Sequence, residues 1–114
     1  MKYHGSCHCR AISFSFEGDF IEKGLRCNCS ICRRKGIMIS PYTIKKEDLI
    51  IKEESLTFYQ AGEKRAKQYF CKQCGIQTFN ESATKPGNYR VNLGCLDKID
   101  TFSLEYDIFD GVSL

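Results

Sequence analysis

The chain has 114 residues, of which 42% are hydrophobic and 27% charged, with a formal net charge of +3. This length predicts a single domain over residues 1–114, with a core small enough for a bound metal to add usefully to its stability. The sequence opens without an apolar signal segment, and no stretch approaches the roughly 18 apolar residues of a membrane span. We therefore expect a cytoplasmic protein with no membrane partner. In a reducing compartment, its eight cysteines favour metal binding over disulfides.

The net positive charge is weak evidence for a nucleic-acid partner, because it counts every cysteine as neutral. A metal-bound cysteine is a thiolate. Seven such thiolates together with two Zn²⁺ ions would bring the net charge to about zero. A nucleic-acid partner is therefore not expected.

Most of the predicted elements are short β-strands. The first covers residues 11–16, where Ile12, Phe14 and Phe16 alternate with small or polar residues. The apolar segment 37–44 is interrupted by Pro41, which predicts an edge strand or a bend. Further strands are predicted at residues 49–52, 56–60, 67–70, 89–93 and 102–109.

The connecting segments show few helix signals. Residues 53–55 are predicted to form the turn between two of the strands, and residues 45–48 another turn. Residues 30–35 are predicted to form one short helical turn around Cys32, with Ser30 as its N-cap. The sequence therefore predicts a mainly β domain with little helix and with cysteine-bearing turns between its strands.

Seven of the eight cysteines fall into three clusters with metal-ligand spacing. These clusters are Cys7-His8-Cys9, Cys27-Asn28-Cys29-Ser30-Ile31-Cys32 and Cys71-Lys72-Gln73-Cys74-Gly75. Two thiolates on a tight C-x₂-C-G turn can both face a tetrahedral zinc ion at about 2.3 Å. A glycine at position 75 suits a positive φ and lets backbone N–H groups approach the sulfurs. A disulfide within a C-x-C segment would be badly strained, so the pattern indicates zinc.

The number of ligands suggests how the clusters are divided. A structural zinc needs four protein ligands, whereas a catalytic zinc commonly has three and an open position. One partition forms a closed site from four cysteines and leaves a triplet for a second zinc with a free position. The closed site would contain Cys7, Cys9, Cys71 and Cys74, and the open site Cys27, Cys29 and Cys32. Spacing alone also allows other partitions.

Several other residues have more than one interpretation. Cys95 could be a fourth ligand of the second zinc or a small buried residue. Arg33 and Arg34 could bind a substrate carboxylate by bidentate hydrogen bonds, or they could balance the thiolate charge in solvent. His8 lies between two ligands and could orient a substrate or be a surface residue. Asn92 is interpreted as a cap or turn residue.

Four segments of the sequence resemble one known family. These segments are residues 5–12, 27–34, 70–75 and 90–94. They resemble the glutathione-dependent formaldehyde-activating enzyme family, also called the centromere protein V family, and the likeness runs over about residues 3–110. The resemblance implies a β-tent fold of short antiparallel strands whose sheets meet at a structural zinc. It also implies that Cys7, Cys9, Cys71 and Cys74 bind this zinc, and that Cys27, Cys29 and Cys32 bind a catalytic one.

The activity implied by the resemblance is that of a carbon–sulfur lyase, S-(hydroxymethyl)glutathione synthase, which joins glutathione and formaldehyde. Two features depart from the family. Arg10 stands where a glycine is common, which predicts a different turn after Cys9, and the chain is short beside the formaldehyde-activating members. The competing hypothesis is a non-catalytic zinc module that binds protein or nucleic acid. The sequence leaves the oligomeric state open.

Overall fold

The computed structural model describes residues 1–62 and 66–114. Within these ranges the chain forms ten β-strands, one α-helix and three short 3₁₀ turns. The strands are β1 (Lys2–Ser6), β2 (Ile12–Glu17), β3 (Lys23–Cys27), β4 (Ile44–Lys45), β5 (Ile50–Glu53), β6 (Leu56–Tyr59), β7 (Gln68–Cys71), β8 (Gln77–Glu81), β9 (Asn88–Val91) and β10 (Glu105–Phe109). The helix α1 spans Ser30–Lys35, and the 3₁₀ turns span Lys46–Asp48, Leu93–Cys95 and Gly111–Ser113. None of the helices in these ranges is long and apolar enough to cross a membrane.

The strands form three sheets. An antiparallel sheet has the order β1-β2-β5, and a second antiparallel sheet has the order β4-β9-β8-β7-β6. The third sheet is the parallel pair of β3 and β10. The mainly β fold of short antiparallel strands is therefore confirmed. Because parallel strands need a long crossover, the β3–β10 pair joins distant parts of the chain, and local sequence patterns do not predict it.

Most of the predicted strands are present. The segments 11–16, 49–52, 56–60, 67–70 and 89–93 match β2, β5, β6, β7 and β9 to within about two residues, and only the second half of 102–109 forms a strand. The turn before Leu56 joins β5 to β6, but these two strands belong to different sheets. In the segment 37–44, Ile39 bridges both Leu25 and Asn92, and the chain bends at Pro41, as predicted.

The helix α1 spans the predicted residues Ser30–Lys35, but the prediction of Ser30 as its N-cap is wrong. The cap is Cys29, whose sulfur accepts a hydrogen bond from the backbone N–H of Cys32. Ser30 is already helical, and its hydroxyl accepts a hydrogen bond from Arg34 Nη1 at 2.6 Å. A thiolate cap satisfies the same orphan N–H group that a serine would.

Three strands, β1, β3 and β8, have no clear signal in the sequence. They mix glycine, charged and amide residues, so the alternation of apolar and polar side chains is broken. Their pairing in the fold stabilises them, since β8 lies between β7 and β9 at the centre of the five-stranded sheet. Tertiary pairing here outweighs local preference.

Buried aromatic side chains fill the space between the two antiparallel sheets. Phe14 of β2 meets Phe79 of β8 edge-on, with ring centroids 6.2 Å apart. Phe79 stacks on Tyr69 at 5.1 Å and contacts Tyr89 edge-on at 5.3 Å. Tyr3 of β1 and Phe16 of β2 also stack, with ring centroids 5.3 Å apart. These ring contacts add stabilising free energy beyond that of the area they bury, and their preferred geometries fix how the two sheets pack.

The opposite face of the five-stranded sheet is polar. Tyr59, Gln68, Asn80 and Arg90 are direct register neighbours across β6, β7, β8 and β9. We call these four residues the polar row. Because side chains alternate between the faces of a strand, the polar row lies on the side away from Tyr69 and Phe79. The two faces of this sheet therefore have different chemistry.

Arg10 adopts a left-handed backbone conformation, with φ of 67°, in the turn that follows Cys9. It is the single non-glycine residue with positive φ among the described residues. Its N–H donates a hydrogen bond to Cys7 O at 3.3 Å, which closes the turn. A side chain with a Cβ is strained in this conformation, so the turn is held by the structure around it.

We expect Arg10→Gly to raise the free energy of unfolding of the metal-loaded protein by about 1 kcal/mol, since glycine adopts this φ without a Cβ clash. The matched control is Arg10→Ala, which removes the charge and keeps the Cβ, and which should change the stability little. Urea unfolding followed by circular dichroism measures both variants. Equal stabilisation by alanine and glycine would show that the guanidinium charge, rather than backbone strain, is responsible.

Candidate metal centres and the adjoining cleft

Four cysteine sulfurs converge from two sheets. They belong to Cys7, Cys9, Cys71 and Cys74, and all lie within 4.8 Å of one another. Cys7 directly follows β1, and Cys71 ends β7. The sulfur of Cys9 lies 3.7 Å from that of Cys7 and 3.6 Å from that of Cys71. A tetrahedral zinc with Zn–S near 2.3 Å would separate its sulfurs by roughly 3.8 Å, so both the donor set and the spacing fit zinc.

The C-x₂-C-G turn has the geometry that its sequence predicts. Backbone N–H groups of Gln73 and Cys74 donate to the Cys71 sulfur at 3.3 and 3.4 Å. Gly75 has φ of +80°, and its N–H donates to Cys71 O at 2.8 Å. The positive φ turns the chain back while leaving the N–H groups aimed at sulfur. The turn thus presents both sulfurs and stabilises negative charge on one of them.

Hydrogen bonding also favours the thiolate form of Cys71. The Ser55 hydroxyl lies 3.5 Å from the Cys71 sulfur. This hydrogen bond, assisted by the backbone N–H groups of Cys74 and Gln73, lowers the pKa of Cys71 to about 6 in spite of burial. A metal ligand must be deprotonated, so the first cluster is prepared for a cation by the protein itself.

The second cluster is built from one short stretch of chain. Cys27 ends β3, Cys29 caps α1, and Cys32 lies in its first turn. Their sulfurs lie within 4.8 Å of one another. Burial raises the pKa of Cys32, and the neighbouring sulfurs raise it further. For Cys29, burial acts to raise the pKa, but hydrogen bonds from backbone N–H groups and from the Cys27 and Cys32 thiols together outweigh it, so the pKa is lowered. Three adjacent thiolates need a cation to offset their charge, so this donor set also fits a metal.

Cys95 belongs to neither cluster. It is buried, its S–H donates to Gln77 O at 3.5 Å, and it packs in the hydrophobic core. Burial raises the pKa of Cys95 to about 12, and the charges that act on it are those of Cys7 and Cys74, not those of the triplet. Of the two interpretations left open by the sequence, the structure supports the small buried residue.

The C-terminal segment packs over the second cluster. Asn28 anchors it by accepting a hydrogen bond from Val112 N at 3.0 Å and donating one to Asp110 Oδ1 at 3.1 Å. Gly111 then lies directly against Cys27. A Cβ at Gly111 would overlap the Cys27 sulfur and would approach Cys29 Cβ to 3.0 Å. The absence of a side chain at this position is therefore required for the close approach.

A cleft of about 780 Å³ opens beside the second cluster, and all three of its cysteines line it. Arg34 also lines the cleft, and its Nη1 donates to Ser30 O at 3.0 Å. Arg33 is exposed and is not part of the cleft lining. The structure therefore brings one of the two predicted arginines to the cysteine triplet and leaves the other outside.

One part of the cleft lining consists of residues that the sequence patterns do not point to. It is formed by the polar row, together with Glu81 of β8. Arg90 is about half buried and donates from Nη1 to Ser40 O at 2.8 Å, and burial lowers its pKa. Arg90 lay within a motif of the family resemblance, but a single arginine in an apolar strand carries no signal of a site. Only strand pairing brings it to the same cleft as the triplet.

The two remaining polar candidates, Asn92 and His8, lie outside the cleft lining. Asn92 caps the 3₁₀ turn Leu93–Cys95, because its Oδ1 accepts from Gly94 N at 3.0 Å. Its amide nitrogen also donates to Gln77 O at 2.8 Å. The interpretation of Asn92 as a cap is confirmed. His8 is exposed between two ligands of the first cluster and does not line the cleft.

The fold and the two clusters define a class: a small, mainly β domain with one four-cysteine cluster and one three-cysteine cluster that could each hold a metal ion. The family model described as glutathione-dependent formaldehyde-activating enzyme matches residues 2–111, so the chain belongs to this family. A Rhodobacter sphaeroides protein, solved by crystallography as a structural genomics target, is 33% identical with a TM-score of 0.79. The match covers 91% of this chain and 99% of that one.

The two clusters should differ in their importance for folding. Cys9 and Cys71 are 62 residues apart, whereas Cys29 and Cys32 are separated by three. Closing the longer loop restricts the unfolded chain more, and the difference in loop-closure entropy alone corresponds to about 3 kcal/mol. We expect Cys74→Ser to lose one zinc and to lower the melting temperature strongly. Cys29→Ser should lose one zinc with a small change in melting temperature.

Elemental analysis and differential scanning calorimetry measure these two effects. Cys95→Ser is the matched control, since a hydroxyl there can still donate to Gln77 O, and it should retain both zinc ions. If Cys29→Ser lowered the melting temperature as much as Cys74→Ser, the proposed division into a structural and an open cluster would be wrong.

We expect Gly111→Ala to weaken metal binding at the second cluster by at least tenfold, because the added methyl group would displace the Cys27 sulfur. Competition with a chromophoric chelator measures the two affinities separately. Val112→Ala, an equally small change at an exposed neighbour, is the control and should leave both affinities unchanged. Unaltered binding in Gly111→Ala would mean that the C-terminal segment does not restrict this cluster.

Proposed function

We propose that this protein is a zinc-dependent carbon–sulfur lyase that interconverts a small thiol with its formaldehyde adduct, as S-(hydroxymethyl)glutathione synthase does. Glutathione is the thiol in the family's description. The observation that carries the proposal is the position of Cys27, Cys29 and Cys32 on the wall of a cleft of about 780 Å³. A purely structural cluster does not need an adjoining cleft of ligand size.

The cysteine triplet would hold zinc through three thiolates and leave one of its four positions for the substrate. When bound, zinc supplies a positive charge that lowers the pKa of a coordinated thiol, so that the thiol is ionised at neutral pH. The sulfur of the substrate then forms a bond to the carbonyl carbon of formaldehyde. The π electrons of the C=O bond move to oxygen, and that oxygen takes up the proton that the thiol released. Cleavage of the adduct follows the same steps in reverse.

Two arginines support a substrate that carries a carboxylate. Both arginines line the cleft, Arg34 from the helix that carries Cys32 and Arg90 from β9. Guanidinium groups bind carboxylates through paired hydrogen bonds. A thiol with carboxylates on both sides of its sulfur, such as glutathione, could contact both arginines while the sulfur approaches the triplet. We assign substrate-binding roles to Arg34 and Arg90.

The protein's cysteines support a reducing location. All eight lie in the described part of the chain and none of them forms a disulfide. Free thiols and thiolate ligands persist where glutathione keeps cysteine reduced. This supports assignment of the protein to the cytoplasm, where its proposed thiol substrate is also present.

The proposal predicts that glutathione binds at the second metal and that turnover depends on the triplet. In protein loaded with Co²⁺, glutathione should change the thiolate charge-transfer bands. Exchange of formaldehyde between free and adduct forms, followed by NMR exchange spectroscopy, should be accelerated over the uncatalysed reaction. Cys29→Ser should lower that acceleration at least tenfold, because its thiolate is one of the three needed to hold the ion.

The matched control is Cys95→Ser, which should respond to glutathione like the wild type. Two bound metal ions whose spectra ignore glutathione, together with no acceleration of exchange, would instead support a non-catalytic zinc module that binds protein or nucleic acid. A salt-sensitive mobility shift with single-stranded nucleic acid would then distinguish these two partners.

A further inference from the structure

Apolar side chains adjoin the cysteine triplet along the cleft. The cleft lining includes Leu25, Ile31, Phe109 and Val112. We call these four residues the apolar wall. Val112 is 68% exposed and the other three are partly exposed, so a ligand in the cleft can reach all four. The apolar wall is thus accessible surface and not part of the closed core.

Strand geometry puts two residues of the apolar wall next to Cys27. Leu25 precedes Cys27 by two positions in β3, and Phe109 of β10 is the register partner of Cys27. Residues two apart on a strand share a face of the sheet, as do register partners. The Asn28 N–H donates to Phe109 O at 3.2 Å, which ties the two strand ends together. Leu25 and Phe109 therefore flank Cys27 on the same face of the β3–β10 pair.

The other two residues of the apolar wall adjoin the triplet from α1 and from the C-terminal segment. Ile31 lies between Cys29 and Cys32 in the chain. The N–H of Val112 donates to the side chain of Asn28, which lies between Cys27 and Cys29. Three separate parts of the chain thus bring apolar groups to the place where the substrate sulfur would bind.

The proposed reaction leaves this wall uncovered when formaldehyde is the carbonyl compound. The carboxylates of the thiol are directed to Arg34 and Arg90, and the carbonyl carbon of formaldehyde carries only hydrogen atoms. A cleft of about 780 Å³ also has room for a larger ligand, since pockets of roughly 300–1,000 Å³ hold drug-sized molecules. An apolar group on the carbonyl carbon would fill that room and cover the wall.

We propose that this protein also forms and cleaves the hemithioacetals of larger apolar aldehydes, whose hydrocarbon chain packs against the apolar wall. The thiol sulfur forms a bond to the aldehyde carbon, the π electrons of the C=O bond move to oxygen, and that oxygen takes up the thiol proton. No oxidant or reductant is needed. Each CH₂ group buried against the wall favours the bound aldehyde. This inference rests on the proposed function, since it takes the substrate sulfur to lie at the cysteine triplet.

Two aldehydes of equal chain length test the inference. Pentanal has a CH₂ group where 3-methoxypropanal has an ether oxygen. NMR exchange spectroscopy with glutathione and zinc-loaded protein measures the exchange of each aldehyde between its free and adduct forms, at concentrations below saturation. Division by the uncatalysed rate for the same aldehyde removes differences in intrinsic reactivity. The wild type should accelerate the exchange of pentanal about fivefold more than that of 3-methoxypropanal, because only pentanal is apolar along its whole chain.

Val112→Thr replaces one methyl group of the apolar wall by a hydroxyl and keeps the shape of the side chain. It should reduce the preference for pentanal about threefold, because the aldehyde chain would then meet a polar group. Ile108→Thr is the matched control. Ile108 is also 68% exposed and lies next to Phe109 in the chain, but it does not line the cleft. This variant should keep the preference of the wild type.

The possible failures are distinguishable. Accelerated exchange of formaldehyde without any preference for pentanal would overturn the inference and leave the proposed function intact. The same conclusion follows if Ile108→Thr reduces the preference as much as Val112→Thr does. If the exchange of none of the three aldehydes is accelerated, the inference and the proposed function fail together. The wild-type comparison decides the question even if a variant does not fold.

Discussion

The sulfurs of Cys7, Cys9, Cys71 and Cys74 come from the ends of β1 and β7 and the turns that follow these strands, and they meet within 4.8 Å. The two strands belong to different sheets. This convergence sets the distance between the ends of β1 and β7. The aromatic core lies between the same two sheets, so the cluster and the packing of Phe14 against Phe79 constrain the same geometry. In a chain of 114 residues the core is modest. A metal at this cluster would contribute free energy of folding directly, because the unfolded chain does not bring these sulfurs together.

The second cluster differs in how it depends on the fold. Cys27, Cys29 and Cys32 are close in sequence, and a strand end and one helical turn bring their sulfurs together. Little chain entropy is lost in forming it, so it adds little to stability. What the tertiary structure contributes is the surroundings: the C-terminal segment packs against Cys27, and a cleft opens beside the triplet. One cluster is thus suited to hold sheets together and the other to meet a ligand.

The five-stranded sheet connects these two functions. Alternation along β7 and β8 places Tyr69 and Phe79 in the core and Gln68 and Asn80 in the cleft. The core side gains free energy from burial, whereas the cleft side carries the polar row. One face of β8 lines the cleft and carries polar side chains. The composition of this strand therefore gives no clear strand signal.

The sequence by itself determined the local features. The C-x₂-C-G turn, the grouping of seven cysteines, the alternation in β2 and the cap at Asn92 depend on residues a few positions apart, and spacing expresses them directly. Tertiary structure decided the rest. Cys95 could be separated from the triplet only by its burial beside the first cluster, and Arg34 from Arg33 only by the cleft. The polar row depends on the register of four strands, which no local pattern encodes, because strand pairing is set by contacts between distant segments.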